Sequence, residues 1–138
     1  METASCKGGK AGLFQVRVYY EDTDAGGVVY YANYLKFAER ARTEFLRALG
    51  TDHGRLIKEN GLLFAVKRIE ADYLAPARLD DLLDISTEVS GCRAAALEMK
   101  QTISNGGKSL VKITATLVSV SPSGKVVRLP KALRAMLQ

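Results

Sequence analysis

The sequence predicts an α+β domain in which one antiparallel sheet packs on, and curls around, a single long helix. Three observations point there. Apolar residues between Tyr34 and Leu49 recur at three- and four-residue spacing, whereas from Leu62 onward they recur at two. Asn105-Gly106-Gly107 separates two of the period-two runs as a hairpin turn would. The order is one strand, one helix, then about four strands joined by short connections.

Each element has its own signature. Met1 to Gly12 is small, polar and basic and lacks an apolar h-region, so residues 1–12 read as a flexible leader ahead of a single domain over 13–138. Phe14, Val16, Val18 and Tyr20 alternate with Gln15, Arg17 and Tyr19, a strand over 14–20. The acids and paired glycines from Glu21 to Gly27 then demand a tight, irregular turn. Tyr34, Phe37, Ala38, Ala41, Phe45, Ala48 and Leu49 form one apolar stripe, with Lys36, Glu39, Arg40, Arg42, Glu44 and Arg47 between them. That predicts a helix over roughly 31–49, closed by Gly50. Thr51 to Gly61 is polar, with room for one more helical turn.

Leu62 to Leu74 reads as a strand whose apolar parity switches between Phe64/Val66 and Ile69/Ala71/Tyr73, so a bulge is expected near Lys67. Ala75-Pro76-Ala77 interrupts. Leu83, Ile85, Thr87 and Val89 mark the next strand, and Gly91-Cys92-Arg93 reads as a hairpin turn. Ala95, Leu97, Met99, Gln101 and Ile103 mark the strand after that turn. The last long strand spans Leu110 to Val120. Val126 to Leu129 reads as a short edge piece, and Pro130 opens a terminal helical turn.

Composition excludes several classes of function. The 138 residues fit one domain, and 47% apolar with 25% charged residues is ordinary for a globular protein. No run approaches the ~20 apolar residues of a membrane span. Cys6 and Cys92 make neither a CxxC pair nor a disulfide framework, which suits a reduced, cytoplasmic setting. His53 is the one histidine, so a histidine-rich metal site and a zinc finger are both excluded, and no metal is expected. No GxSxG elbow accompanies it, and it reads as a loop or surface residue rather than part of a triad. The net charge is +5, and Lys125, Arg128, Lys131 and Arg134 supply four of the five excess charges, with no acid from Ser121 to Gln138. A balanced body with one basic end argues against a nucleic-acid face and for a local anionic contact, or else a solvated tail.

The segment Val16-Arg17-Val18-Tyr19-Tyr20-Glu21-Asp22-Thr23-Asp24-Ala25-Gly26-Gly27-Val28-Val29-Tyr30-Tyr31-Ala32-Asn33-Tyr34-Leu35 resembles the signature of hotdog-fold acyl-CoA thioesterases. Its nearest pattern is the Tol-Pal-associated branch, related to the 4-hydroxybenzoyl-CoA thioesterases. Phe37 to Glu44 and Tyr73-Leu74-Ala75-Pro76-Ala77-Arg78-Leu79-Asp80-Asp81-Leu82 extend the match in the expected order, and the resemblance covers about residues 14 to 130. It implies a sheet wrapped around one helix, hydrolysis of acyl-CoA to an acid and coenzyme A, no cofactor beyond the substrate's own coenzyme A, and a homodimer or homotetramer with sites at the subunit boundary.

The residues suit that chemistry. Thioester hydrolysis needs a carboxylate to activate water or attack the carbonyl, and donors for the developing oxyanion. Asp24 sits in the glycine-rich turn just before the helix, and Gly26 and Gly27 let backbone approach a ligand closely. The first N–H groups of the helix have no internal partners and lie at its positive end. An isolated aspartate in such a turn would read as a local cap. Inside this motif the resemblance makes Asp24 the catalytic carboxylate, as nucleophile or as general base, and the Tyr31 backbone N–H the group that polarises the carbonyl.

The chain has Tyr31 where many Tol-Pal-branch members have His and the hydroxybenzoyl-CoA enzymes have Tyr. It has Ala96 where Ser often precedes the leucine matching Leu97. Val28, Tyr30 and Tyr34 near the turn, with Leu63 and Phe64, are the candidates to line the acyl pocket, core being the other reading for the aromatics. Arg93, with Arg128 and Lys131 of the basic end, is the candidate for the coenzyme A phosphates. The alternatives are a non-catalytic acyl-binding module that docks an acyl carrier protein through the basic end, and a small RNA-binding α+β domain. Balanced charge argues against the latter.

Overall fold

The structure, a computed structural model, describes residues 11–138. Five strands, β1 (Ala11–Arg17), β2 (Leu63–Tyr73), β3 (Leu82–Cys92), β4 (Ala96–Asn105) and β5 (Lys108–Val120), form one sheet in the order β1-β3-β4-β5-β2, with every neighbouring pair antiparallel. The long helix α1 (Asn33–Ala48) lies against the inner face, α2 (His53–Arg55) runs into a π-turn at Leu56–Asn60, and α3 (Lys131–Leu137) closes the basic end. Among the described residues β1 and β2 are thus the two edges. From β1 at one edge the chain crosses the inner face as α1 and lays β2 along the other.

The apolar stripe of α1 is buried as its spacing requires, at Tyr34, Phe37, Ala38, Ala41, Phe45 and Leu46. Inward residues of alternate strand positions meet it in two clusters. One joins Val18, Val29, Tyr34 and Phe37 to Leu83, Ile85, Ile103 and Ile113. The other joins Phe45 and Leu46 to Leu97, Met99, Leu117 and Leu137. Ile69 packs against both. Each such large side chain stabilises the fold by about 1.5–3 kcal/mol relative to exposure. Gly50 ends α1 with φ +97, a left-handed geometry that glycine adopts without a Cβ penalty.

Several elements depart from the sequence reading. The first strand covers 11–17 rather than 14–20. Its register against β3 runs from Ala11↔Glu88 to Arg17↔Leu82, after which the Val18 N–H turns to Asp81 O. Asp22 Oδ2 then accepts the Tyr19 N–H at 2.8 Å and winds Tyr20–Asp22 into a 3-10 turn, which leaves Tyr20 85% exposed instead of inward. Residues 1–10 of the expected leader, Cys6 among them, lie outside the described residues, while Ala11 and Gly12 pair with β3. α1 starts at Asn33, two residues later than expected, because Tyr30 O takes the Asn33 N–H in a turn at 2.8 Å.

The β2–β5 register shifts between Val66 and Arg68, which is the expected bulge at Lys67. The β3–β4 turn lies at 93–95, a little beyond Gly91-Cys92-Arg93, since β3 carries a register shift between Val89 and Gly91 and pairs on to Cys92. The Asn105–Lys108 hairpin is as read, with the positive φ values at Gly106 and Gly107. The edge piece near Val126 is a single bridge to Val120.

Candidate active site

The Asp24 turn is built by its own side chain. Asp24 Oδ1 accepts the Gly26 N–H at 2.8 Å and the Val28 N–H at 3.4 Å, while the Gly27 N–H reaches Asp24 O at 3.0 Å. Gly27 sits at φ +81, which this turn requires and which glycine supplies. The carboxylate is exposed, and among the described residues its hydrogen bonds go to one oxygen, Oδ1. Oδ2 is therefore the atom left for external chemistry.

The second half of the loop is fixed by bonds to distant backbone. Thr23 and Val29 form a bridge, and so do Val28 and Arg78. The Val29 N–H donates to Ala77 O at 2.9 Å and the Tyr30 N–H to Asp22 O at 3.0 Å. Asn33 Nδ2 also donates to Asp22 O, at 2.9 Å. Ala77 is 0% exposed, and its own N–H donates to the Tyr34 hydroxyl at 3.0 Å. One residue of the 74–81 loop thereby holds both the turn and the first turn of α1.

This scaffold orients the Tyr31 N–H. Tyr30 O is committed to the Asn33 N–H. In a trans peptide the C=O and the following N–H point in opposite directions, so the Tyr31 N–H is turned away from the helix. Among the described residues it has no acceptor. It precedes α1 instead of belonging to its first turn, yet it stands at the helix's positive end. The loop thus presents an exposed carboxylate oxygen and an oriented backbone donor seven residues apart, joined by the Thr23–Val29 bridge.

Around this donor lies an aromatic cluster. Ring centroids are 5.0 Å apart for Tyr30–Tyr31, 6.1 Å for Tyr31–Tyr73 and 5.8 Å for Tyr34–Tyr73. The Tyr73 hydroxyl reaches Tyr31 O at 3.4 Å. Tyr30, Tyr31 and Tyr73 are exposed, whereas Tyr34 is buried and its hydroxyl is committed to Ala77. Burial pushes the Tyr34 phenol above its ordinary value; the Ala77 N–H opposes this, and Tyr73 and Asp81 add to it. Tyr73 is raised too, by partial desolvation of its phenol, with Tyr31 adding.

The remaining candidates lie at the other end of the sheet. Leu63 and Phe64 open β2 and are half-buried, Phe64 against the Phe45–Leu46 cluster, whereas Tyr73 ends β2, ten residues or about 33 Å further on. Arg93, Arg128 and Lys131 are exposed together at this far end, because the Leu129 N–H donates to Ala94 O at 2.7 Å and docks the tail beside the β3–β4 turn. A single chain therefore brings Asp24, Gly26, Gly27, Val28, Tyr30 and Tyr31 into one place, and Phe64, Arg93, Arg128 and Lys131 towards another.

Sequence reasoning missed the polar interior. Arg42 is 8% exposed and donates from Nη1 to Gln101 Oε1 at 3.0 Å. Gln101 Nε2 donates to Ala38 O at 2.9 Å and Thr87 Oγ1 at 3.0 Å. The signal was present. Arg42 follows Ala38 by four residues on the apolar stripe, and Gln101 shares the inward parity of Met99 and Ile103. His53 is exposed, as read, with its ring 3.1 Å from Thr43 Oγ1.

Residues 18–137 match the model of a family described as the thioesterase-like superfamily. The acyl-CoA thioesterase YbgC of Haemophilus influenzae is 47% identical over 123 residues, which is 88% of this chain and 90% of that protein. A probable thioesterase from Bartonella henselae superposes with a TM-score of 0.85 at 41% identity, over 87% of this chain and 99% of that one. A 4-hydroxybenzoyl-CoA thioesterase mutant complexed with 4-hydroxybenzoyl CoA gives a TM-score of 0.88 over 94% of this chain and 99% of that one, and at 17% identity it speaks to the fold alone.

Proposed function

The chain belongs to the thioesterase-like superfamily and has its hotdog fold, and from that premise we propose that it hydrolyses acyl-CoA thioesters to a free acid and coenzyme A. The observation that supports this best is the Asp24–Tyr31 loop, with one carboxylate oxygen and one oriented N–H that make no hydrogen bond among the described residues. The thioester carbonyl oxygen sits on the Tyr31 N–H, where negative charge develops as the carbon becomes tetrahedral. With Asp24 as general base, Oδ2 takes a proton from water as the C–O bond forms. The C–S bond then breaks, and the thiolate leaves with that proton. With Asp24 as nucleophile, Oδ2 attacks, coenzyme A leaves as thiolate, and water hydrolyses the anhydride. The loop geometry serves both routes.

The working unit in this reading is a homodimer, which can pair further into a homotetramer. β2 is an eleven-residue edge strand. Two such edges paired antiparallel about a two-fold axis set Tyr73 beside the partner's Leu63. Asp24 and Tyr31 of one chain then approach Phe64 and Arg93 of the partner subunit, and the two half-sets of candidates meet. Phe64 and Leu63 line the acyl side, and Arg93, Arg128 and Lys131 receive the coenzyme A phosphates. The cytoplasmic setting is part of the same reading.

Free-thiol release from a panel of acyl-CoAs tests it, with Asp24→Asn as the control variant. Release with the wild type and not with the variant is expected. The basic end also favours a second reading, a module that docks an acyl carrier protein without turnover. Binding with no thiol release from any acyl-CoA would select it.

A further inference from the structure

Along the second half of α1 the inner face opens into a narrow cleft with a cavity volume of about 50 Å3. Phe64, Leu97, Met99 and Leu117 supply apolar walls, while Arg42, Glu39 and His53 supply the polar groups. Arg42 is the unusual member. It is 8% exposed, and among the described residues no carboxylate forms an ion pair with it. Burial lowers its pKa, with Glu39 the opposing influence.

A guanidinium carries five donors in a planar fork, and one of its nitrogens, Nη1, is met by Gln101 Oε1. The Gln101 amide cannot turn away, since its nitrogen is held by Ala38 O and Thr87 Oγ1. No protein acceptor among the described residues meets Nε or Nη2, neither atom is buried without a partner, and Arg42 is one of the residues that line the cleft. A buried charge that lacks an ion-pair partner is costly unless something compensates it. Glu39, one helical turn away, is exposed and makes no ion pair with Arg42, and His53 is engaged with Thr43.

We propose that Arg42 makes this cleft a subsite for an acyl group that ends in a carboxylate. The methylenes lie between Phe64, Leu97 and Met99, and the fork of Nε and Nη2 takes the two carboxylate oxygens side by side, the geometry for which guanidinium is suited. This rests on the thioesterase reading, and in the paired arrangement the cleft lies at the Phe64 end, where it would serve a thioester held by the partner's loop.

Glutaryl-CoA and valeryl-CoA test it, being matched in length and differing at the far end in carboxylate against methyl. Wild type is expected to show kcat/KM at least tenfold higher for glutaryl-CoA, and Arg42→Met to lose that preference while keeping valeryl-CoA turnover within about threefold. Equal or better turnover of valeryl-CoA by wild type overturns the proposal without recourse to any variant. So does an Arg42→Met that loses the same factor on both. The free acids give a readout that does not need turnover. Glutarate, and not valerate, is expected to raise the melting temperature of wild type, and an equal response to both acids overturns the subsite. Absence of thiol release from every acyl-CoA refutes the thioesterase reading instead, and the glutarate–valerate comparison then decides the subsite alone.

Discussion

Replacing Asp24 by Asn separates chemistry from architecture at the candidate site. The two bonds that shape the turn, from the Gly26 N–H at 2.8 Å and the Val28 N–H at 3.4 Å, both end on Oδ1. An asparagine carbonyl oxygen accepts both, so the turn and the Thr23–Val29 bridge persist. The change falls on Oδ2, which becomes an NH2 group that can neither take a proton nor attack a carbonyl. Losing a positioned acid–base group costs about 100-fold to 10,000-fold in rate, and the lower figure corresponds to about 2.7 kcal/mol of transition-state stabilisation. Thermal melting should show stability within about 1 kcal/mol of wild type, and free-thiol release should show kcat reduced by at least that lower factor. Asp22→Asn is the control. Its side chain meets the Tyr19 N–H, and the Tyr30 and Asn33 bonds go to its main-chain oxygen. A folded Asp24→Asn that turns over within about threefold of wild type would refute the assignment.

Three further outcomes follow from the geometry. Tyr31→Phe removes a hydroxyl and keeps the N–H, so activity should stay within roughly tenfold, or about 1.4 kcal/mol; a much larger fall in kcat would bring the hydroxyl into the chemistry. Arg128→Ala with Lys131→Ala, or Arg93→Ala, should raise KM for acyl-CoA at low salt with kcat unchanged. The difference should shrink at high salt as the Debye length drops below ~10 Å, and an unmoved KM in both sets would make the basic end a solvated surface. Burial raises the folded-state pKa of Tyr34, so the unfolded phenol ionises first. Its contribution to stability is complete below the unfolded value of about 10 and is lost as pH rises towards the folded one, with a slope of up to about 1.4 kcal/mol per pH unit. Urea melts of Tyr34→Phe between pH 9 and 11 should be flatter than wild type, and parallel curves would contradict the sign.

Elements written in local periodicity were legible. α1 shows itself because its buried stripe repeats within one turn, and the bulge at Lys67 because a parity switch has no other cheap cause in a strand. The first strand slipped by three residues because alternation continues past Arg17 into Tyr19 and Tyr20. Its end is set by pairing with residues some seventy positions away and by the Asp22 cap, neither of which leaves a periodic trace. The same division runs through the site. Asp24 and Tyr31 lie within eight residues and could be read as one motif. Arg42 and Gln101 are 59 residues apart, and an arginine on an amphipathic helix looks like solvated charge until the sheet closes over it. The far-end residues Phe64, Arg93 and Arg128 could be named singly, but nothing in the linear pattern says that the fold holds them a strand's length from Asp24.

Ala77 has a consequence for evolution and engineering. Its carbonyl fastens Val29 and its N–H meets Tyr34, so a buried methyl group sets the spacing between the Asp24–Tyr31 loop and the helix behind it. A bulkier side chain at 77 would lever those two apart, and the carboxylate and the donor would drift out of alignment although neither had changed. If the loop carries the proposed reaction, that reaction sets a size limit on residue 77, which lies behind the loop rather than on its exposed face. The loop is also not a portable cassette. Transplanted without the 74–81 segment it would keep its composition and lose its shape, because the Val29 and Tyr34 bonds both end on Ala77.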